Sequence, residues 1–158
     1  PKHEGVDMGK SVGSVKSMPV GSGWGAVLLD GSGIEGGYGA GEESVAGFKD
    51  NFAKNGGKIV KDLWVPFPNV EFQALLTEIA ALKPEGVFVF FAGGGAAKFL
   101  RDWQAAGLKG KIPLMGAGFL TDGILEAVGT AAEGLETTLH YGDGIETPRN
   151  KAFRLAFA

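Results

Sequence analysis

Apolar positions along the chain follow two periods that alternate. WGAVLLD (24–30), KIVKDLWV (58–65), GVFVFF (86–91), IPLMG (112–116) and ETTLHY (136–141) are short apolar or β-branched runs bounded by glycine, proline or charge. They predict five strands. Between them, apolar residues recur every three or four positions, the spacing of a helix with one inward face. Val45, Phe48 and Phe52 predict a helix over about 42–55, closed by Gly56-Gly57 as a left-handed cap. Phe72, Leu75, Leu76, Ile79 and Leu82 predict a second, with Asn69 as its N-cap and Pro84 forcing its end. Phe99, Leu100 and Trp103 give a third over 95–106, with Gly107 just beyond, and Ile124, Leu125 and Val128 a fourth near 122–132. Thr147-Pro148 are the start signals of a last helix.

Strands that alternate with helices through short connections predict the α/β class, because a crossover between parallel strands is nearly always right-handed and covers the sheet. GVFVFF has no polar alternation, which is the signature of a strand covered on both faces. The expected architecture is a flavodoxin-like three-layer sandwich around a five-stranded, mostly parallel sheet of order 2-1-3-4-5. Ligands of such sheets sit beyond the carboxyl ends of the strands, at the switch point between the first and third. Here those ends are Asp30 with the glycine loop reaching Tyr38, and Ala92 followed by Gly93-Gly94-Gly95. The fourth strand end, Gly116 to Asp122, is next in line.

Composition narrows the function classes. The chain has 158 residues, 44% of them apolar, with a net charge of −3. That is one core-bearing domain, with Lys and Arg too scattered to offer nucleic acid or an acidic membrane a landing surface. The longest apolar run, Gly86 to Ala97, is about half a bilayer span. There is no cysteine, so disulfides and thiolate metal sites are excluded. The 28 glycines are unevenly placed, with the stretch from Gly5 to Gly41 especially rich, and residues 1–23 read as a loose Gly/Ser-rich arm. The chain starts at Pro1 without a signal-like segment and stops inside the amphipathic RNKAFRLAFA, so both ends read as cut.

Candidate chemistry is sparse. Gly31, Gly33 and Gly36 spell GxGxxG after a strand, the dinucleotide fingerprint. A helix starting near Glu42 is too late for those glycines to open it, and Asp62 is placed near the beginning of the second strand rather than at its tip. Lys98 is followed by Phe99, so the triple glycine is not a phosphate-binding loop of the Walker kind. His3 and His140 are the two histidines, one in the arm and one in a strand. Neither a metal cluster nor a Ser-His-Asp triad has enough parts, and no cofactor is implied. Asp122 reads as a helix cap or loop support, with ligand contact as the other reading. Tyr38 and Phe119 either cover a ligand's apolar body or fold over their own loops. Gly93–Gly95 could open the backbone to a ligand and offer amide donors to a carboxylate, or simply let a strand turn into a helix.

From Tyr38 onward, the segments YGAGEESVAGFKDNFAKNGGKIV, VPFPNVEFQALLTEIAALKPEGVFVFFAGGGAAKFLRDWQAAGL and IPLMGAGFLTDGILEAVGTAAEGLETTLHYGDGIETPRNKAFRLAFA resemble the type I periplasmic substrate-binding proteins of ABC importers, the branched-chain amino-acid receptor family. The resemblance is to the second of two lobes that close on a ligand. It implies a non-enzymatic, periplasmic or extracytoplasmic lobe at 24–146, with 147–158 leading toward the first lobe. The partners it implies are a small-molecule ligand and, through the full-length protein, a membrane permease. Tyr38 matches the YGxG tyrosine bordering the cleft, and Gly93–Gly95 match a strand end where receptors often place an aromatic. GAGFLTD (116–122) matches the segment that often carries an acid for the ligand's ammonium group; this chain has Gly118 and Phe119 there and no acid before Asp122. The resemblance therefore implies a small carboxylate, an aromatic acid in preference to a branched-chain amino acid, held by Tyr38, Gly93, Gly94, Gly95, Gly118, Phe119 and Asp122. Two alternatives stay open: a nucleotide-dependent enzyme using Gly31, Gly33 and Gly36, and a lobe fragment without effective binding.

Overall fold

The structure, a computed structural model, describes residues 25–30, 39–65, 71–139, 141–142 and 144–157. Its elements run β1 (Gly25–Asp30), α1 (Gly39–Lys54), β2 (Lys58–Trp64), α2 (Gln73–Leu82), β3 (Gly86–Phe90), α3 (Gly93–Ala105), β4 (Leu114–Ala117), α4 (Leu125–Val128), β5 (Glu136–Thr138) and α5 (Pro148–Phe157). The class is α/β. The strands pair in parallel, side by side as β2-β1-β3-β4-β5.

Strand β3 shows why the sheet is covered on both sides. All five of its residues are buried. Val87 and Val89 join Phe99, Leu100 and Trp103 of α3 and Leu76 and Ile79 of α2 in one core. Phe88 and Phe90, pointing the other way, join Val45, Phe48 and Phe52 of α1 and Met115 of β4 in a second. Phe88 stacks on Phe48 with ring centroids 4.2 Å apart. On the opposite face, Phe91 meets Phe72 at 5.1 Å and Phe99 at 4.9 Å, and Phe99 reaches Trp103 at 5.8 Å. Each such ring pair adds roughly 0.5–1.5 kcal/mol beyond its area burial. The cluster lies directly beneath the turn from β3 into α3 and holds it in place.

Local geometry departs from expectation at several points. Helix α1 begins at Gly39 rather than near Glu42. The first turn of α3 is made of Gly93–Gly95 themselves, so the glycines do not precede the helix; they are its first residues. Packing of Phe91 against Phe99 overrides the poor helix propensity of glycine there. The fourth helix shrinks to one turn followed by a 3-10 turn at Gly129–Ala132, because Gly123 and Gly129 take φ values of 68° and 50° that the interior of a right-handed helix does not accept. Leu82 is exposed rather than on the inner face, since Lys83 turns left-handed (φ 48°) and closes α2 before Pro84. Asp62 sits two residues from the carboxyl end of β2, not near its start, where Lys49 of α1 donates to it. At α5, Thr147 Oγ1 accepts the amide N–H of Asn150 at 3.1 Å, as an N-cap does for the third helical residue. The expectations at residues 1–23, the Gly31-Gly33-Gly36 loop, Tyr38, Asn69 and His140 lie outside the described residues.

Candidate functional site

Two glycine-bearing strand ends stand next to each other at the carboxyl edge of the sheet, after β3 and after β4. At the first, Ala92 is extended (φ −137°, ψ 156°) and caps α3 without any side-chain hydrogen bond. Helix geometry leaves the first amide N–H groups of α3 without intrahelical acceptors, and the helix dipole gives that end a partial positive charge. A β-carbon placed on Gly93 or Gly94 would meet no protein atom within 4 Å. Gly93 and Gly94 are exposed and Gly95 half-buried. Open space in front of an amide-rich helix start can take an anion. Lys98, one turn along, bonds Asp102 at 2.6 Å and lies 5.2 Å above the Phe72 ring. Its charge is thus spent along the helix.

The second end is filled. A β-carbon on Gly116 would come within 2.9 Å of the Val89 carbonyl oxygen, and one on Gly118 within 2.5 Å of Leu139 Cβ. These glycines make room for protein. From here the chain turns through a 3-10 segment at Gly118–Leu120, and the N–H of Asp122 closes on the Gly118 carbonyl at 2.9 Å. Asp122 is not a helix cap, because α4 starts at Leu125 behind Ile124 and has no side-chain cap. The Phe119 ring is 38% exposed and meets Phe90 edge-on at 5.9 Å.

Beyond β4 and β5 a cavity of about 630 Å³ opens. Gly118, Phe119 and Asp122 line it, whereas Gly93–Gly95 do not; Tyr38 lies outside the described residues. Leu125 and Leu139 add apolar wall, and Thr121, Thr137 and Tyr141 add hydroxyls. Thr121 Oγ1 and Thr137 Oγ1 are 3.1 Å apart. Tyr141 donates its hydroxyl to Asn150 Oδ1 at 2.9 Å, tying the cavity wall to α5. Sequence reasoning missed Thr137, Leu139 and Tyr141, although their alternate spacing in ETTLHY put them on one side of an extended segment. A smaller cavity of about 390 Å³ lies at the opposite, amino ends of β4 and β5, where Lys109 is engaged with Glu133 and the Thr130 carbonyl. Among the described residues no cluster of acids and histidines could hold a metal, and no helix is long and apolar enough to cross a membrane.

An open parallel α/β domain thus presents an amide-rich helix start and a cavity of mixed polar and apolar lining at the carboxyl edge of its sheet. Its relatives make the class specific. Residues 34–158 match the model of the periplasmic binding protein family, and the chain belongs to that family. A Leu/Ile/Val-binding protein homolog 6 of Brucella abortus is 32% identical over 119 residues, which are 73% of this chain and 30% of that protein. A Rhodopseudomonas palustris ABC-transporter solute-binding protein in complex with benzoate aligns over 94% of this chain and 38% of its own, at 44% identity and a TM-score of 0.78. Another, from R. palustris BisB5 in complex with 3,4-dihydroxybenzoic acid, aligns over 94% of this chain and 39% of its own, at 26% identity and a TM-score of 0.76. The chain therefore spans under two fifths of the length of these relatives.

Proposed function

We propose that this chain is the solute-binding lobe of an ABC-importer receptor, flavodoxin-like in its strand order, working without catalysis in the periplasm or an equivalent extracytoplasmic space. Its ligand is a small carboxylate, an aromatic acid in preference to a branched-chain amino acid. The full-length protein delivers it to a membrane permease. The observation that carries this reading is the open, amide-rich start of α3 beside a cavity with apolar walls. The amides of Gly93–Gly95 would take the carboxylate, and Phe119, with Tyr38 across the cleft, would cover the ring. The benzoate complex of the 44% identical R. palustris protein supports the ligand class.

A second reading is favoured by one residue. Asp122 lines the cavity and could take an ammonium group, and the Brucella relatives carry Leu/Ile/Val-binding names. Against it, no acid precedes Asp122 between Gly116 and Thr121. The nucleotide reading rests on Gly31, Gly33 and Gly36, which lie outside the described residues.

Saturation-transfer NMR of the chain with benzoate, leucine and NAD discriminates the readings, because it detects millimolar binding. Transfer to benzoate, with leucine and NAD silent, is the expected result. Transfer to leucine with equal strength would move the assignment to amino acids, and transfer to NAD would return it to a nucleotide domain. Silence with all three would leave a lobe without effective binding.

A further inference from the structure

The cavity beyond β4 and β5 has a chemistry that the carboxylate end of a ligand does not satisfy. Among the described residues Asp122 is the one charged side chain on its wall, and it is negative. Tyr141 offers no free proton, because its hydroxyl is already donated to Asn150. What remains is the hydroxyl pair Thr121–Thr137, half-buried and 3.1 Å apart.

Counting protons and lone pairs defines what that pair can accept. Each threonine has one proton and two lone pairs. One proton is used between the two hydroxyls. If Thr121 turns its own proton to the Gly118 carbonyl, 3.2 Å away, the pair shows the cavity lone pairs only. That carbonyl, however, already receives the N–H groups of Thr121 at 3.0 Å and Asp122 at 2.9 Å. The alternative lets Thr121 donate to Thr137, and Thr137 then points its proton into the cavity. By rotating two hydroxyls the pair gives or takes one hydrogen bond, and Asp122 adds only acceptors. A group that both donates and accepts, and is neutral, fits both states. A phenolic hydroxyl is such a group. A carboxylate would face Asp122 and find at most one proton.

We propose that Thr121 and Thr137 form a specificity subsite for a neutral hydroxyl, or similar hydrogen-bond donor, carried on the ring of the ligand, with Phe119, Leu125 and Leu139 around the ring. This deepens the carboxylate-binding reading and rests on it for the ligand's direction: the acid end lies toward Gly93–Gly95 and the substituted end lies in the cavity. A hydroxylated aromatic acid then binds more tightly than the unsubstituted one. The gain is what one neutral hydrogen bond contributes, roughly two- to tenfold.

The test uses probes without a carboxylate, so that it can fail independently of the receptor reading. Phenol and anisole, which differ by the donor proton, are titrated into the 158-residue chain and followed at the backbone amides. Phenol is expected to shift Thr121, Asp122 and Thr137, and anisole to bind at least threefold more weakly. The double variant Thr121→Val/Thr137→Val should bring phenol down to the level of anisole, while Thr137→Ser, which keeps the hydroxyl, retains the difference. Retained amide dispersion away from the cavity shows that the variants fold. Equal binding of phenol and anisole, phenol shifts outside the cavity, or a double valine variant that keeps the preference would overturn the proposal. Benzoate shifts at Gly93–Gly95 in the same samples report separately on the carboxylate reading.

Discussion

The two glycine clusters at neighbouring strand ends look alike in the sequence and differ in physical purpose. After β3, Gly93 and Gly94 face open space, and a methyl group there would touch no protein atom within 4 Å. After β4, Gly116 and Gly118 are buried, and a methyl group would run into the Val89 carbonyl and the Leu139 side chain. The first cluster keeps backbone exposed; the second lets strands and loops close on each other. A glycine at a strand end is therefore evidence for a ligand only when the protein itself does not fill the space.

Substitution by alanine breaks this comparison if it is wrong. Gly118→Ala has the largest expected effect, because Leu139 Cβ lies close to its own backbone and cannot swing away. Overpacking of that kind costs up to about 3 kcal/mol and should appear as a lowered denaturant midpoint with an unchanged slope. Gly93→Ala comes next. Its φ of 54° is left-handed, so a side chain there costs about 1 kcal/mol despite the open space. Gly94→Ala is the smallest and has the opposite sign. Gly94 is helical and unobstructed, so alanine should leave the fold roughly 0.5 kcal/mol more stable by narrowing the unfolded ensemble. The same methyl would stand in front of the helix-start amides and weaken binding of a benzoate ion. Stability and affinity moving in opposite directions at Gly94, and not at Gly118, sharpens the distinction.

Much of the fold was legible because its signals are local and periodic. The stripe Phe99, Leu100, Trp103 and the stripe Val45, Phe48, Phe52 are buried as their spacing demanded. GVFVFF is covered on both faces for the reason its lack of alternation suggests. Gly56 ends α1 with φ 86°, and Thr147-Pro148 opens α5. Elements went astray where glycine conformations decide. Gly123 and Gly129 cut the fourth helix to a turn, and no hydrophobic period reveals a positive φ. Gly93–Gly95 became helix because Phe91 and Phe99 pack together on either side of the turn with Phe72 against Phe91, an effect of packing that propensity cannot anticipate.

The candidate site was legible in position more than in detail. Strand-end reasoning led to Gly93–Gly95 and to the stretch from Gly116 to Asp122. Gly118, Phe119 and Asp122 all line a cavity, but position 118 is glycine because Leu139 presses on it. The threonine pair was out of reach, since Thr121 and Thr137 are brought together only by the pairing of β4 with β5.

The most direct test of the central claim, that an acid end binds at the start of α3, is an amide chemical-shift map of the chain titrated with benzoate. The account predicts the largest saturable shifts at Gly93, Gly94 and Gly95, with smaller ones at Phe119, and their loss in Gly94→Ala. Shifts centred on Thr121, Asp122 and Thr137 with Gly93–Gly95 unmoved would contradict it, because the acid would then sit in the cavity lined by Asp122.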